Sequence, residues 1–532
     1  MSKALTMGKS SAVGSVQLFV GKILSTAMLM LGTIILGMLI SERDYGLYSI
    51  ALIPAFTALL FQEWGVSSAI AKHCASSRAK NEDGNLRKVI VTGLVFEGST
   101  GLALAALTFA LANFISSIIG KPESSMLVAI ASISILSTSF LGLATSIFIG
   151  FERMNLSVFA MVCQAITQCM VAPLLVYLGY GALGAMLGYT VASVAASIMS
   201  VALLYFAIFK KLGPDRSNYG MRQTLKPLLR YGVPLAISAI LGGLLTQSNS
   251  ILMALFVKDA AIIGNYAVAT NFAIMITFLT IPVSTVLFPA FSKLDPMNEQ
   301  HLLRRVFESS VKYTSLLIVP ATMGLMVLSK TLIRTIYADK WLSAPFFLAF
   351  YVVGNLFMIF GTLSMSRLLY GLGETRMVLK LNLLTICFGI PLAFILIPPL
   401  GISGLILGTI LAGIPSTVFG LYQIWKKYGV KAELKSSVKI VLASAAAATA
   451  TYFFLNTFVA ASWITLIAGS ALFLGIYLIV IPIIHAINQT DVTNLRLMFS
   501  GLGIISTIIE IPLTMLEKPL KFWDSHAETF GR

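Results

Sequence analysis

Charged side chains are scarce in this chain. Asp, Glu, Lys and Arg make up 11% of its 532 residues, where an ordinary soluble domain carries about 25%. With 57% of the residues hydrophobic, there is too little polar surface to cover a water-soluble globule of this size, and that class is excluded. Cysteine is equally sparse. Cys74, Cys163, Cys169 and Cys387 sit in or beside apolar runs, without metal-ligand or redox spacing, and read as small packing residues. The motifs of catalysis are missing too: there is no H-E-x-x-H helix, no nucleophile elbow and no pair of loop carboxylates. Gly8-Lys9-Ser10 resembles the end of a phosphate-binding loop, but the position that must hold the loop's first glycine is Lys3, which rules out an ATPase site. No cofactor site is evident, and no enzyme activity is expected.

Long apolar runs are what the chain has in abundance. A spanning helix takes about 20 apolar residues, so a chain of this length holds roughly twelve to sixteen of them and little else. Runs bounded by charges, turns, Pro or Gly predict about fourteen transmembrane helices, near 17–40, 48–71, 89–115, 125–150, 155–178, 182–209, 231–257, 262–289, 312–337, 345–371, 376–398, 401–425, 438–459 and 462–485. The net charge of +16 could invite a nucleic-acid reading. The basic residues, however, cluster between apolar runs as they do in cytoplasmic loops, so no nucleic-acid partner is expected. With the N-terminus inside, 25 of the 37 Lys and Arg fall on the cytoplasmic side; Arg43, Lys121, Lys258, Lys330, Arg334 and Lys340 fall on the other. That asymmetry places both ends of the fourteen-helix core in the cytoplasm. The first apolar run is too long for a secretory signal and lacks its cleavage flank, so the first helix is expected to be retained. Leu497 to Leu516, apolar except for Glu510 and interrupted by Pro512, either spans or lies flat, and an interfacial helix is the favoured reading.

Two short stretches recur. Tyr45-Gly46-Leu47-Tyr48-Ser49-Ile50-Ala51 returns as Ile263-Gly264-Asn265-Tyr266-Ala267-Val268-Ala269, an offset of 218 positions (264 against 46). Gly181, Gly184, Leu187, Gly188 and Ala192 return as Gly401, Gly404, Leu407, Gly408 and Ala412, an offset of 220. Small residues at this spacing let helices approach closely, so either match alone could reflect packing; two at nearly one offset argue duplication. The repeat spans six helices, an even number, so its copies share a topology. The predicted architecture is an all-α polytopic membrane protein with two six-helix lobes related by a pseudo-two-fold along the membrane normal, 1–230 and 231–427. Two extra helices follow in 428–490, then a cytoplasmic tail, 491–532.

Ionisable groups within spans are expensive, and each is a candidate for function. Lys22 lies roughly 9 Å into the first helix; Glu63 and Glu97 lie roughly 12 Å from the inner ends of the second and third; Arg367 is about one turn from the inner end of the tenth. Lys22 with Glu63 reads either as a packed ion pair or as a lysine facing substrate. Glu97 is a second ion-pair candidate, read mainly as structural. Arg367 either faces a substrate or snorkels to inner-leaflet phosphates. Gln164 and Gln168, one turn apart, and Gln247 with Asn249 offer uncharged hydrogen-bonding groups suited to sugar hydroxyls or to gluing helices together.

The chain resembles the polysaccharide biosynthesis or oligosaccharide flippase family of the multidrug/oligosaccharidyl-lipid/polysaccharide exporter superfamily, over residues 15 to about 485. The residues that carry the resemblance are Glu42-Arg43-Asp44-Tyr45-Gly46-Leu47-Tyr48, Gly65-Val66-Ser67-Ser68-Ala69, Gly150-Phe151-Glu152-Arg153 and Gly181-Ala182-Leu183-Gly184. In the second half they are Tyr231-Gly232-Val233-Pro234-Leu235, Ile263-Gly264-Asn265-Tyr266 and Phe288-Pro289-Ala290-Phe291-Ser292. The resemblance implies two six-helix lobes around a V-shaped cavity, and translocation of a polyprenyl-linked oligosaccharide by alternating access, for cell-surface polysaccharide or glycoprotein synthesis. Membrane lipids and glycan polymerase or glycosyltransferase machinery are its implied partners. A phosphate-bearing substrate needs fixed positive charge, which Lys22 and Arg367 would supply, with hydroxyl-binding groups deeper in. A multidrug cation antiporter of the same fold and a peptidoglycan-precursor flippase are the alternatives. Related chains often carry an Asp in the seventh helix, where this one reads Gln247-Ser248-Asn249, and that departure weakens a proton-coupled drug antiport.

Overall fold

The structure, a computed structural model, describes residues 3–499 apart from 63, 80–85, 214–219, 297 and 459–460, together with 510 and 513–517. Glu63 and most of the expected interfacial segment 497–516 lie outside the described residues. Every regular element among the described residues is helical, as lipid requires of a backbone that must satisfy its own hydrogen bonds.

Each of the fourteen predicted runs coincides with a helix or a broken helix. The chain begins with α1 (Lys3–Leu39), α2 (Glu42–Gln62), α3 (Val66–Ala79), α4 (Leu86–Ala110), α5 (Ala112–Ile118) and α6 (Ser125–Gly150). Next come α7 (Met154–Leu175), α8 (Gly181–Ala207), α9 (Met221–Phe256), α10 (Ala260–Ser292) and α11 (Gln300–Tyr337). The remainder comprises α12 (Ala344–Val352), α13 (Thr362–Gly371), α14 (Thr375–Leu400), α15 (Ile402–Tyr428), α16 (Leu434–Thr457), α17 (Ser462–Ile483) and α18 (Gln489–Phe499). Among the described residues, 12 stretches are long and apolar enough to cross a membrane, or 13 with the bent pair 344–360 and 362–371 taken as one span. One of the 12, Met154–Lys211, contains both α7 and α8. Three predicted helices are broken: the run 89–115 divides at Leu111 into α4 and α5, and two others are interrupted more strongly. The run 48–71 divides into α2 and α3, and the run 345–371 passes through a 3-10 stretch at Val353–Phe360 and bends by 57° into α13.

The chain forms two compact units: residues 1–267 with 393–405, and residues 268–392 with 406–532. In the first, α7 and α8 make an antiparallel hairpin whose backbones nearly touch: a side chain added at Gly188 would lie 2.3 Å from Cα of Ala172. The buried positions Gly184, Gly188, Ala192, Ala196 and Ser200 follow one another every fourth residue of α8. This small-residue stripe permits the close approach from which helices in lipid derive their packing energy. α1 runs parallel to α7, with Gly14 on Met154, Gly21 on Val158 and Gly32 on Cys169. α6 lies against α4 and α8, and a core of Val66, Ile70, Ile90, Leu143, Ile147, Phe148, Leu204 and Leu228 joins α3, α4, α6, α8 and α9.

The repeated motifs turn out to be packing devices within this unit. A Cβ at Gly46 would lie 1.8 Å from the Ala260 carbonyl oxygen, and one at Gly264 would lie 2.2 Å from that of Glu42. The two copies of the motif therefore cross each other. Gly184 rests on the Leu175 backbone, and Gly404 on the Leu396 carbonyl, so the second motif closes the turn onto the preceding helix in both halves. Gly65 and Gly232 meet backbone to backbone, with a Cβ at Gly65 only 2.2 Å from the Gly232 oxygen. This contact fixes the α2–α3 break against α9, and Lys72 lies over the neighbouring Tyr231 ring, 4.0 Å from its centroid.

The second unit is organised on α11, against which α12, α13, α16 and α17 pack. Its core includes Phe291, Phe307, Val311, Leu316, Leu368, Ile424, Ile440 and Ile481, extended by Val492 and Leu495 of α18 and by Leu513 and Leu516.

Candidate functional site

In the first unit, Lys22 is exposed on α1. Because Gly21 packs on Val158 and the two helices run in the same direction, Lys22 stands at the level of residue 159. Gln164 and Gln168, half-buried on α7, are then roughly 8 and 14 Å farther along the axis. A cation near one end of a helix pair with amides deeper along it is the order that a phosphate followed by hydroxyl groups would require. Gln247 is half-buried and Asn249 buried on α9, which packs against α2, α3 and α4.

Glu97 on α4 is buried, 1% exposed, and the α2–α3 break is built around it. Gln62, the last residue of α2, donates its side-chain N–H to one carboxylate oxygen, and Ser67, at the start of α3, donates its hydroxyl to the other at 3.1 Å. Both donors are themselves buried. A buried carboxylate requires such donors, and here they come from the two sides of an interrupted helix. The sequence singles out Glu97 by its charge but not these donors, because the run 48–71 reads as one continuous helix in which Gln62 and Ser67 would not flank a break.

In sequence, Lys121 is one of the few bases on the sparsely charged side. Its side chain is buried, and its ammonium donates to the carbonyl oxygens of Ala254 and Val257 at 3.0 and 2.9 Å. It thereby caps the C-terminus of α9, where the helix dipole favours a cation. Burial holds its pKa below the ordinary lysine value, and the nearby carboxylates Glu123 and Asp259 oppose that shift.

Arg367 belongs to the second unit, on α13. Its Nε is buried and has no hydrogen-bond partner, a state that leaves a charged group's donor unsatisfied. The same unit contains a cavity of about 610 Å³ between α10, α11 and α17, lined by Leu279, Pro320, Leu328, Phe473 and other apolar side chains, with Leu495, Leu513 and Leu516 among its walls. Its two polar members are Ser470 and Tyr477, and the Tyr477 hydroxyl donates to the Leu316 carbonyl at 2.8 Å. α18 is held by a latch. Lys312 pairs with Asp491 at 2.5 Å, Tyr313 donates to the same carboxylate at 3.2 Å, and Asn494 donates to Tyr313 at 3.0 Å.

The polysaccharide biosynthesis protein family profile matches residues 35–345, more than half of the chain. The chain belongs to that family. Among its relatives is the lipopolysaccharide biosynthesis protein WzxC of Escherichia coli K12, 24% identical over 406 residues, which are 74% of this chain and 76% of the relative. The fold is shared with the lipid II flippase MurJ in an inward closed conformation: TM-score 0.70 at 20% identity, over 89% of this chain and 98% of that one. It is shared too with an inward-facing multidrug resistance MATE family transporter of the MOP superfamily, at TM-score 0.62 and 16% identity, over 78% of this chain and 98% of the other. These matches agree with the resemblance read from the motifs, and the motif residues Gly46, Gly65, Gly150, Gly181 and Gly232 all lie within the matched range. The chain is a multi-pass membrane protein of this fold.

Proposed function

We propose that this protein flips a polyprenyl phosphate- or pyrophosphate-linked oligosaccharide from the cytoplasmic to the outer leaflet by alternating access, without covalent chemistry. Membership of the polysaccharide biosynthesis family carries the reading. The architecture shared with a lipid II flippase supports it, as does the apolar cavity of the second unit, whose lining suits hydrocarbon rather than a hydrophilic solute. Lys22 and Arg367 are the phosphate-binding groups of the proposal, and Gln164, Gln168, Gln247 and Asn249 its hydroxyl-binding groups. The protein resides in the cytoplasmic membrane with its N-terminus inside, as the asymmetry of the basic residues supports. Glycan-assembling glycosyltransferases and polymerases are its functional neighbours.

The second reading, a cation antiporter, draws on the MATE architecture and needs a carboxylate that can meet its cargo. The Glu97 carboxylate is already engaged by Gln62 and Ser67 inside the helix break, which favours the lipid-linked substrate. A peptidoglycan precursor is a variant of that substrate, with the same phosphate and the same lipid.

The deciding experiment reconstitutes the protein in liposomes with a fluorescent polyprenyl-pyrophosphate oligosaccharide. It follows the fraction of label that becomes accessible to a membrane-impermeant quencher. Protein-dependent accessibility that is lost in Lys22→Ala and partly kept in Lys22→Arg is the expected result. No protein-dependent accessibility from correctly folded protein refutes flipping, and normal transport by both variants makes Lys22 a structural lysine.

A further inference from the structure

The end of α11 and the start of α12 enclose a second, smaller cavity of about 320 Å³, wholly within the second unit. Its walls include Lys330, Arg334, Asp339, Trp341, Leu342 and Phe346. By the charge asymmetry this is the non-cytoplasmic face, where only six of the chain's basic residues fall, and two of those six line this one pocket. Arg334 serves the fold: it stands in the last turn of α11, where a cation is favoured by the helix dipole, and pairs with Asp339 at 2.9 Å. Lys330 does neither. It lies seven residues before the end of the helix, about 10 Å and beyond the reach of the dipole. It is exposed and has no ion-pair partner among the described residues. The rim is of the opposite character, with Leu342 74% and Phe346 59% exposed. A floor is provided by the buried Trp341, packed edge-on against Tyr337.

A free cation beside exposed apolar side chains at a membrane–water boundary fits an amphiphile with an anionic head. We propose that this pocket binds the phosphate of a lipid on the non-cytoplasmic face, with Lys330 on the phosphate and Leu342 and Phe346 against the first carbons of the chain. That phosphate belongs either to the lipid carrier after translocation, in which case the pocket is its exit seat and the proposal rests on the flippase reading, or to bulk phospholipid.

The test places a photo-crosslinking benzoylphenylalanine at Leu342 in the full-length protein. It measures crosslinking to polyprenyl monophosphate, to phosphatidylglycerol and to polyprenol, which lacks the phosphate. Crosslinking of phosphate-bearing lipid is expected to fall about tenfold in Lys330→Gln, the loss of one charge-assisted contact. It should persist in Lys330→Arg and be unaffected by Lys258→Gln, a base of the same face that does not line the pocket. Preference for polyprenyl monophosphate identifies the carrier, and equal capture of phosphatidylglycerol identifies bulk lipid. Polyprenol captured as well as its phosphate, or Lys330→Gln indistinguishable from the parent, overturns the site. Failure here with normal flipping in liposomes leaves the flippase reading standing; a working pocket in a protein that does not flip leaves the site standing without it.

Discussion

Substituting Gly65 by alanine tests whether the contact between the α2–α3 break and α9 holds the first unit together. Two penalties apply. The backbone there has φ of +71°, a left-handed conformation in which a Cβ costs about 1–2 kcal/mol. The new Cβ would also lie 2.2 Å from the carbonyl oxygen and 2.5 Å from the carbonyl carbon of Gly232. Backbone atoms cannot rotate aside, so the two segments must separate by about 1 Å, an overpacking strain of about 1–3 kcal/mol. The sum is about 2–5 kcal/mol. Gly120 supplies the control, because its φ is +72° and nothing lies within 4 Å of its Cβ position. Gly120→Ala should therefore carry the first penalty alone. Thermal inactivation of both variants, purified in detergent and read by loss of the monodisperse size-exclusion peak, separates the two terms. Gly65→Ala is expected to unfold at a clearly lower temperature than Gly120→Ala. Equal shifts would refute the idea that the Gly65–Gly232 contact, rather than backbone conformation, is what the position demands.

Three further outcomes are expected. Asp491→Ala removes the anion from a pair whose side chains are only 15% and 10% exposed. It should destabilise the α18 attachment by about 3 kcal/mol, seen as faster protease cleavage near residues 489–499, with Asp491→Asn intermediate. Glu374, between α13 and α14, is held below its ordinary value of 4.5 by hydrogen bonds first from Lys427 and then from Tyr428. A lowered carboxylate pKa stabilises the fold fully above the unfolded value and loses that contribution as pH falls through the folded one. Glu374→Gln should accordingly flatten the acid side of a stability–pH profile below about pH 4.5 and leave pH 7 to 8 unchanged in slope. Lys22→Ala should abolish flipping at normal membrane abundance, as measured by quencher accessibility.

Apolar length located the helices well. α6, for example, ends at Gly150, where the run 125–150 was expected to end. The interruption of 345–371 is invisible in sequence, because its 3-10 stretch at Val353–Phe360 stays largely apolar and transfer to lipid depends on side chains and not on which carbonyl each N–H meets. In 48–71 the polar Gln62-Glu63 and Gly65 do mark the place, but a lone charge within a long apolar run reads equally well as an intramembrane group of one continuous helix. Polar helix extensions were missed for the complementary reason. α9 begins at Met221 and α11 at Gln300, ten and twelve residues before their apolar runs, where charge reads as loop. The repeat motifs were legible as small residues at recurrent spacing, and their partners were not, since Gly46 meets Ala260 and Gly65 meets Gly232 across about 170 to 210 positions of sequence. Of the site, the intramembrane charges stood out by rarity. Lys121 did not, since an outer-loop lysine and a buried helix cap look the same in one dimension.

The pairing of α1 with α7 has a bearing on how the protein is made. Gly21 finds its seat on Val158, about 140 residues later in the chain, and at synthesis rates of about 5–20 residues per second that delay is roughly 7–28 s. For that interval the grooved face of the first helix, with Lys22 beside it, stands in the bilayer or the insertion machinery without its permanent neighbour. Slowing translation between residues 40 and 154 lengthens that exposure directly, and it does so before any transport-competent structure exists.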